Sequence, residues 1–156
     1  MKEELKEDFI TFLSRAQRYC SLNEKCEDDV RKKLKEWKSN PVLFDDILSD
    51  LKKEKYIDEE RYTQAFARDK FRFSKWGKIK IVYALKGKNI SEEHIQSGLN
   101  TIDQKAYFDF IEKEIKAKLA SVKGKNDFEK KGKTLRYMAG KGFEANLCQK
   151  FLDKKV

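Results

Sequence analysis

Apolar residues recur along this chain at spacings of three and four for almost its whole length. That period marks helices with one buried face. Leu5, Phe9, Phe12, Leu13, Ala16, Tyr19 and Cys20 define a first helix. After a polar link over 21–26, Glu27, Asp28 and Asp29 place negative charge at a second helix start, and Val30, Leu34 and Trp37 continue its apolar face. Pro41 ends that helix, because the residue before proline is driven from helical angles. Leu43, Ile47, Leu48 and Leu51 mark a third helix ending near Lys55. Asp58 is the predicted N-cap of a fourth, whose buried side is Tyr62, Ala65, Phe66 and Phe73. Gly77 opens a fifth with Ile81, Val82 and Leu85, closed around Gly87 to Asn89; asparagine tolerates the left-handed closing conformation. Ser91 caps a sixth with Ile95, Leu99 and Ile102, and Tyr107, Ile111, Ile115, Leu119 and Val122 give a long seventh. A loop is expected over Gly124 to Asp127. Phe128, Leu135 and Met138 then mark an eighth helix, stopped by Gly140 and Gly142, and Leu147, Cys148, Phe151 and Leu152 a ninth.

Nine helices in threes suggest a repeat. An offset of 53 lays Val82 on Leu135, Leu85 on Met138, Gly87 on Gly140, Ile90 on Phe143, Ile95 on Cys148 and Leu99 on Leu152. An offset of 48 lays Ile47 on Ile95 and Leu51 on Leu99, while Leu34 meets Leu85 at 51. Chance register between apolar helices is the rival explanation. The repeat reading gives an all-α chain of three tandem three-helix units, 1–57, 58–103 and 104–156.

Charge changes the picture. The 156 residues carry a formal charge of +9, with 40% charged, 39% hydrophobic and 12% aromatic content. Such a chain folds, and its expected partners are nucleic acid, acidic protein surfaces or anionic lipid. The charge is not spread evenly. Residues 1–60 sum to −3, 61–90 to +8, 91–122 to −2 and 123–156 to +6. From Arg61 to Ile90 nine cations face one acid, Asp69, and alternate with aromatic residues. Holding so many like charges together without an anionic partner costs repulsion, so this block is read as a binding surface whose phosphate contacts position a partner without reading sequence. The rings are read mainly as inter-helix packing, with base stacking as the alternative.

Other chemistry is poorly supported. Gly132-Lys133-Thr134 resembles the tail of a P-loop, but Asp127 stands where its first glycine belongs and no strand precedes it. The pairs Asp28/Asp29, Asp45/Asp46 and Glu59/Glu60 fall in first helical turns, where carboxylates complement the dipole without catalysis. Three cysteines, Cys20, Cys26 and Cys148, form no CxxC pair, and His94 is the single histidine. They are expected to be buried thiols in a reducing compartment, with no metal and no cofactor. The start MKEELKEDF has no signal-peptide core, so the expectation is a cytoplasmic protein without membrane attachment.

With these residues in view, the chain resembles the RecX family, bacterial regulators of the RecA recombinase. The resemblance rests on Glu60-Arg61-Tyr62, Ala65, Arg68, Gly77, Ile81, Leu85 and Lys88 to Ile90, similar to a family pattern with a D-[DE]-x-R-[FY]-A start and an L-x-x-K-G-[IV] close. Lys141-Gly142-Phe143 is similar to the family's R/K-G-F, and Cys26-Glu27 through Val30 and Lys33-Leu34 to S-E-x-x-[LV]-x-x-K-L. Three positions depart from it. Asn89 replaces a common glycine, Thr63-Gln64 separates Tyr62 from Ala65, and Cys26 replaces a capping serine, a change worth about 1 kcal/mol. The resemblance implies an elongated, curved rod of three-helix repeats, a monomer without enzymatic activity. It implies binding along the groove of the RecA–DNA filament and interference with ATP hydrolysis, strand exchange and coprotease activity.

The candidate contacts to filament and DNA phosphate are Arg61, Arg68, Lys70, Arg72, Lys75, Lys78 and Lys80, with Lys130, Lys131, Lys133, Arg136 and Lys141 as a second patch. Arg61, one turn behind Asp58, also suits an internal salt bridge. Two other readings fit the basic helices: a stand-alone helical DNA- or RNA-binding module, and an adaptor whose basic face meets an acidic protein.

Overall fold

The computed structural model describes residues 2–154, and among these all regular structure is helical, with no strand. The helices are α1 (Glu3–Leu22), α2 (Glu27–Glu36), α3 (Phe44–Lys53), α4 (Glu59–Arg72), α5 (Lys78–Gly87), α6 (Glu92–Leu99), α7 (Gln104–Ser121), α8 (Asp127–Gly140) and α9 (Ala145–Lys154). All nine predicted helices are present. Pro41–Leu43 forms a single 3₁₀ turn, so α3 begins at Phe44, one residue later than expected. Proline fits the first position of that turn because its missing N–H has no partner to find there.

Side chains start the helices as the sequence predicts. Asp58 Oδ1 accepts the Arg61 N–H at 3.0 Å, and Ser91 Oγ the His94 N–H at 3.3 Å. Asp127 belongs to α8 and not to the preceding loop, since Asn126 Oδ1 caps that helix by accepting the Glu129 N–H at 2.9 Å. At α2, Cys26 buries its thiol completely, and Asp29 Oδ2 accepts the Cys26 N–H at 3.2 Å. The next amide, Glu27 N–H, donates to Glu59 Oε1 at 3.1 Å. The Cys26 side chain in turn accepts the Asp29 amide, completing a capping box in which sulfur stands where serine oxygen is usual, and Glu59 of α4 satisfies the separate first-turn amide of Glu27.

The same turn closes four helices: Lys55 after α3 has φ of +64°, with the Tyr56 N–H on Leu51 O at 2.8 Å, and the other three lie a repeat length apart. Lys38 after α2, Asn89 after α5 and Gly142 after α8 have φ of +62°, +62° and +92°. Each is followed by an amide that reaches back five residues: Ser39 N–H to Leu34 O (3.0 Å), Ile90 N–H to Leu85 O (3.2 Å) and Phe143 N–H to Met138 O (3.1 Å). These six-to-one bonds are the Schellman closure of a helix. Their spacings of 51 and 53 residues are those of the apolar repeat.

Helices α1 to α3 enclose one core around Ala16, Val30, Leu34, Leu43, Ile47, Leu48 and Leu51. Helices α4 to α9 share a second, continuous core that runs from Tyr62 through Ile81, Leu85, Ile95, Tyr107, Ile111 and Ile115 to Met138, Phe143 and Leu152. The accessible surface, 9996 Å², exceeds the roughly 8,200 Å² of a compact protein of this mass, so the chain is less compact than a single globule of its size.

Two aromatic residues lie where the periodicity does not put them. Phe73 is 73% exposed; it is the C-cap residue, one position past the end of α4 at Arg72. Phe71 turns inward instead, with its ring 5.3 Å from Tyr107 and 5.7 Å from Phe110. Phe128 is 87% exposed in the first turn of α8, whose buried positions are Thr134 and Met138.

Candidate functional site

The N-terminus of α5 has no side-chain cap. Its amides are satisfied from the far end of the chain. Gly77 N–H donates to Lys141 O at 2.8 Å, Ile79 N–H to Gly142 O at 2.9 Å, and Lys78 N–H to the Tyr107 hydroxyl at 3.0 Å. Tyr107 in turn donates to Glu144, and burial together with that carboxylate raises its pKa. The positive end of α5 therefore meets the negative end of α8, and the two dipoles attract. The approach depends on two glycines. A Cβ on Gly77 would lie 2.3 Å from the Gly142 carbonyl carbon, and one on Gly142 would lie 2.4 Å from Lys80 Cβ. Gly77 and the Lys141-Gly142-Phe143 motif, more than sixty residues apart, are the two halves of one clasp.

This clasp sets the α4–α5 corner, where most of the predicted cations sit on aromatic faces. Lys70 Nζ is 4.6 Å and Lys80 Nζ 4.7 Å from the centre of the Trp76 ring. Lys78 lies 4.8 Å from the ring of Tyr107, Lys75 5.5 Å from Phe110, and the Arg72 guanidinium 5.7 Å from Phe73. The rings Phe66, Phe71 and Trp76 meanwhile pack edgewise or tilted on their neighbours. Rings thus fill the gaps between helices with one surface and hold ammonium groups with the other, at about 0.5–1 kcal/mol per exposed contact.

Ion pairing separates the nine cations of 61–90. Arg61 Nε donates to Glu24 Oε2 at 2.5 Å and its terminal nitrogen to Lys55 O at 3.0 Å. It ties α4 to the link before α2. Lys88 Nζ is 2.6 Å from Asp29 Oδ1, across the boundary between the two cores. Among the described residues the remaining seven, Arg68, Lys70, Arg72, Lys75, Lys78, Lys80 and Lys86, make no ion pair with an acid. Lys86 is absent from the predicted set. Its signal was its place on α5, a helix without a single acid.

The second predicted patch is divided. Lys133 Nζ is 3.4 Å from Glu129 and 2.6 Å from Lys123 O, and Lys141 Nζ is 3.6 Å from Glu114 and 3.3 Å from the Tyr137 hydroxyl. Lys130, Lys131 and Arg136 have no acidic partner among the described residues. The clasp places the Lys141 backbone against the start of α5, while its side chain is turned to Glu114 and Tyr137.

Thr134 is buried in mid-helix with its hydroxyl donating to Lys130 O, so Gly132-Lys133-Thr134 is no phosphate loop. The three cysteines are buried and free; burial pushes their thiols up to about 11 for Cys20 and Cys148 and about 12 for Cys26. Such thiols stay protonated and inert at neutral pH. Among the described residues no group of histidine, cysteine and carboxylate side chains is arranged to hold a metal, and no helix is long and apolar enough to cross a membrane.

Comparison with known proteins places this arrangement. Residues 58–99 match the sequence model of the RecX second three-helix domain, and residues 108–152 that of the RecX third three-helix domain. The regulatory protein RecX of Clostridium beijerinckii is 30% identical over 152 residues, 95% of this chain and 70% of that protein. A crystal structure of regulatory protein RecX superposes with a TM-score of 0.87 at 21% identity, covering 98% of this chain and 80% of the other. That of RecX from Lactobacillus salivarius gives 0.84 at 17% identity, covering 96% and 97%. The structural likenesses establish the fold, and the sequence matches go further: the chain belongs to the RecX family of regulatory proteins.

Proposed function

We propose that this chain is a non-enzymatic regulator that binds the RecA–DNA filament and restrains its ATPase, strand-exchange and coprotease activities. The observation that carries the reading is the set of seven cations between Arg68 and Lys86 that have no acidic partner among the described residues, five of which lie over aromatic rings. A filament groove exposes phosphates beside protein, and an elongated row of helical units, 1–57, 58–103 and 104–156, suits contact with several protomers as a monomer. Arg61 and Lys88 act inside the molecule, holding the first unit to the second. Lys130, Lys131 and Arg136 supply a second, smaller set of phosphate contacts, and Lys133 and Lys141 remain tied to acids.

The test is a RecA ATPase assay on single-stranded DNA with the protein titrated in. Wild type lowers turnover. Arg68→Ala with Arg72→Ala weakens inhibition, and the slope of log affinity against log salt falls by about 1.4–1.8 for two lost phosphate contacts. Unchanged inhibition and slope would remove these residues from the interface. Tight, sequence-selective binding to naked duplex, with no effect on RecA, would replace the reading by that of a stand-alone nucleic-acid-binding module.

A further inference from the structure

Helix α5 is apolar on two sides. Ile81 and Leu85 are fully buried, while Tyr83 and Ile79, roughly half a turn around the helix, are 82% and 55% exposed. Every other aromatic residue of 61–90 except Phe73 is engaged with another ring: Tyr62 with Phe66, Phe66 with Trp76, Phe71 with Tyr107. Phe73 carries the Arg72 guanidinium. Tyr83 has neither a ring partner nor a hydrogen bond among the described residues. Lys80 stands three residues before it and Lys86 three after, both exposed, on a helix without an acid. At 1.5 Å of rise per residue the two lysines start about 4.5 Å to either side of the ring along the axis.

We propose that Tyr83 is a stacking platform for an unpaired base of single-stranded nucleic acid, with Lys80 and Lys86 on the phosphates at either side of that nucleotide. An exposed ring between uncompensated cations is the pairing that single strands select, because a base outside a duplex offers a free face and its backbone offers charge. A duplex keeps its base faces covered, so it engages the two lysines and leaves the ring unused. An acidic protein surface would answer the lysines equally but has no general need for an aromatic face between them. This inference rests on the reading of the α4–α5 corner as a surface that meets DNA, and it adds which residue distinguishes strand from duplex.

The experiment measures fluorescence anisotropy of a labelled 30-nucleotide single strand and of the matching duplex, each over a salt series, with the full chain. Tyr83→Ala should lower single-strand affinity about 5- to 150-fold, the range for loss of one base–aromatic stack, with the salt slope and the duplex affinity unchanged. Tyr83→Trp should retain or improve single-strand binding. Lys80→Ala with Lys86→Ala should instead reduce the slope on both probes. Wild-type single-strand affinity in Tyr83→Ala overturns the proposal, as does an equal loss on duplex. If Tyr83→Ala binds the single strand normally but inhibits RecA ATPase poorly, Tyr83 is a protein contact: the stacking role falls while the filament reading stands. If Tyr83 carries single-strand binding in a chain that leaves RecA unaffected, the filament reading falls and the stacking role stands.

Discussion

Replacing Gly77 with alanine should open the clasp on which the basic corner is built. The new methyl would lie 2.3 Å from the Gly142 carbonyl carbon and oxygen and 2.4 Å from the Phe143 nitrogen. These are backbone atoms inside a closed turn, so they cannot yield as the end of a flexible side chain would. The start of α5 must move away, and three hydrogen bonds are at stake: Gly77 to Lys141 O, Ile79 to Gly142 O and Lys78 to the Tyr107 hydroxyl. A buried amide left without a partner costs about 1–3 kcal/mol, and partial rescue by water lowers the sum, so the expected loss is about 2–4 kcal/mol. With a urea dependence of about 2 kcal/mol/M for a chain of this size, the denaturation midpoint should drop by about 1–2 M. Gly87→Ala and Gly140→Ala are the controls, since a Cβ there meets nothing within 4 Å. They should leave the midpoint unchanged or raise it. A Gly77→Ala midpoint within about 0.3 M of wild type would refute the argument that backbone approach at this seam holds α5 to the α8–α9 turn.

Three further outcomes are expected. Tyr107→Phe removes the hydroxyl that links the Lys78 amide to Glu144; it should cost about 1–3 kcal/mol in urea denaturation, and a neutral result would mean water replaces the hydroxyl. Burial alone would raise the Asp29 carboxyl, but the Lys88 ammonium and the Cys26 amide outweigh it and hold the pKa below its ordinary 3.8. A depressed carboxyl stabilises the fold above its unfolded value and loses that contribution as pH falls through the folded value, so Lys88→Met should destabilise at pH 7 and flatten the acid limb below about pH 4. Parallel wild-type and mutant stability curves across that limb would count against the pair. Finally, thiol titration of the folded protein should find Cys20, Cys26 and Cys148 unreactive until urea exposes them; a fast-reacting thiol at pH 7 would contradict their burial.

Much of the fold is written in local chemistry. Apolar spacing of three and four, capping residues such as Asp58 and Ser91, and left-handed closures at Asn89 and Gly142 act within one or two turns of chain, so sequence alone determined the nine helices and the all-α class. The clustering of cations in 61–90 was equally plain, since charge is a property of residue type. Which of those cations stay free was not. Arg61 is neutralised by Glu24 and Lys88 by Asp29, 37 and 59 residues away, while Lys86 has no acidic partner among the described residues. Nor does helical period distinguish Phe71, which fills the seam to Tyr107 and Phe110, from Phe73, which stays exposed. The clasp shows the reason most directly. Gly77 and Gly142 are each legible as a helix boundary, but that each is small because the other is there depends on two chain segments approaching within backbone contact. Periodicity reports which way a residue faces on its own helix. What it faces is decided only when the helices pack.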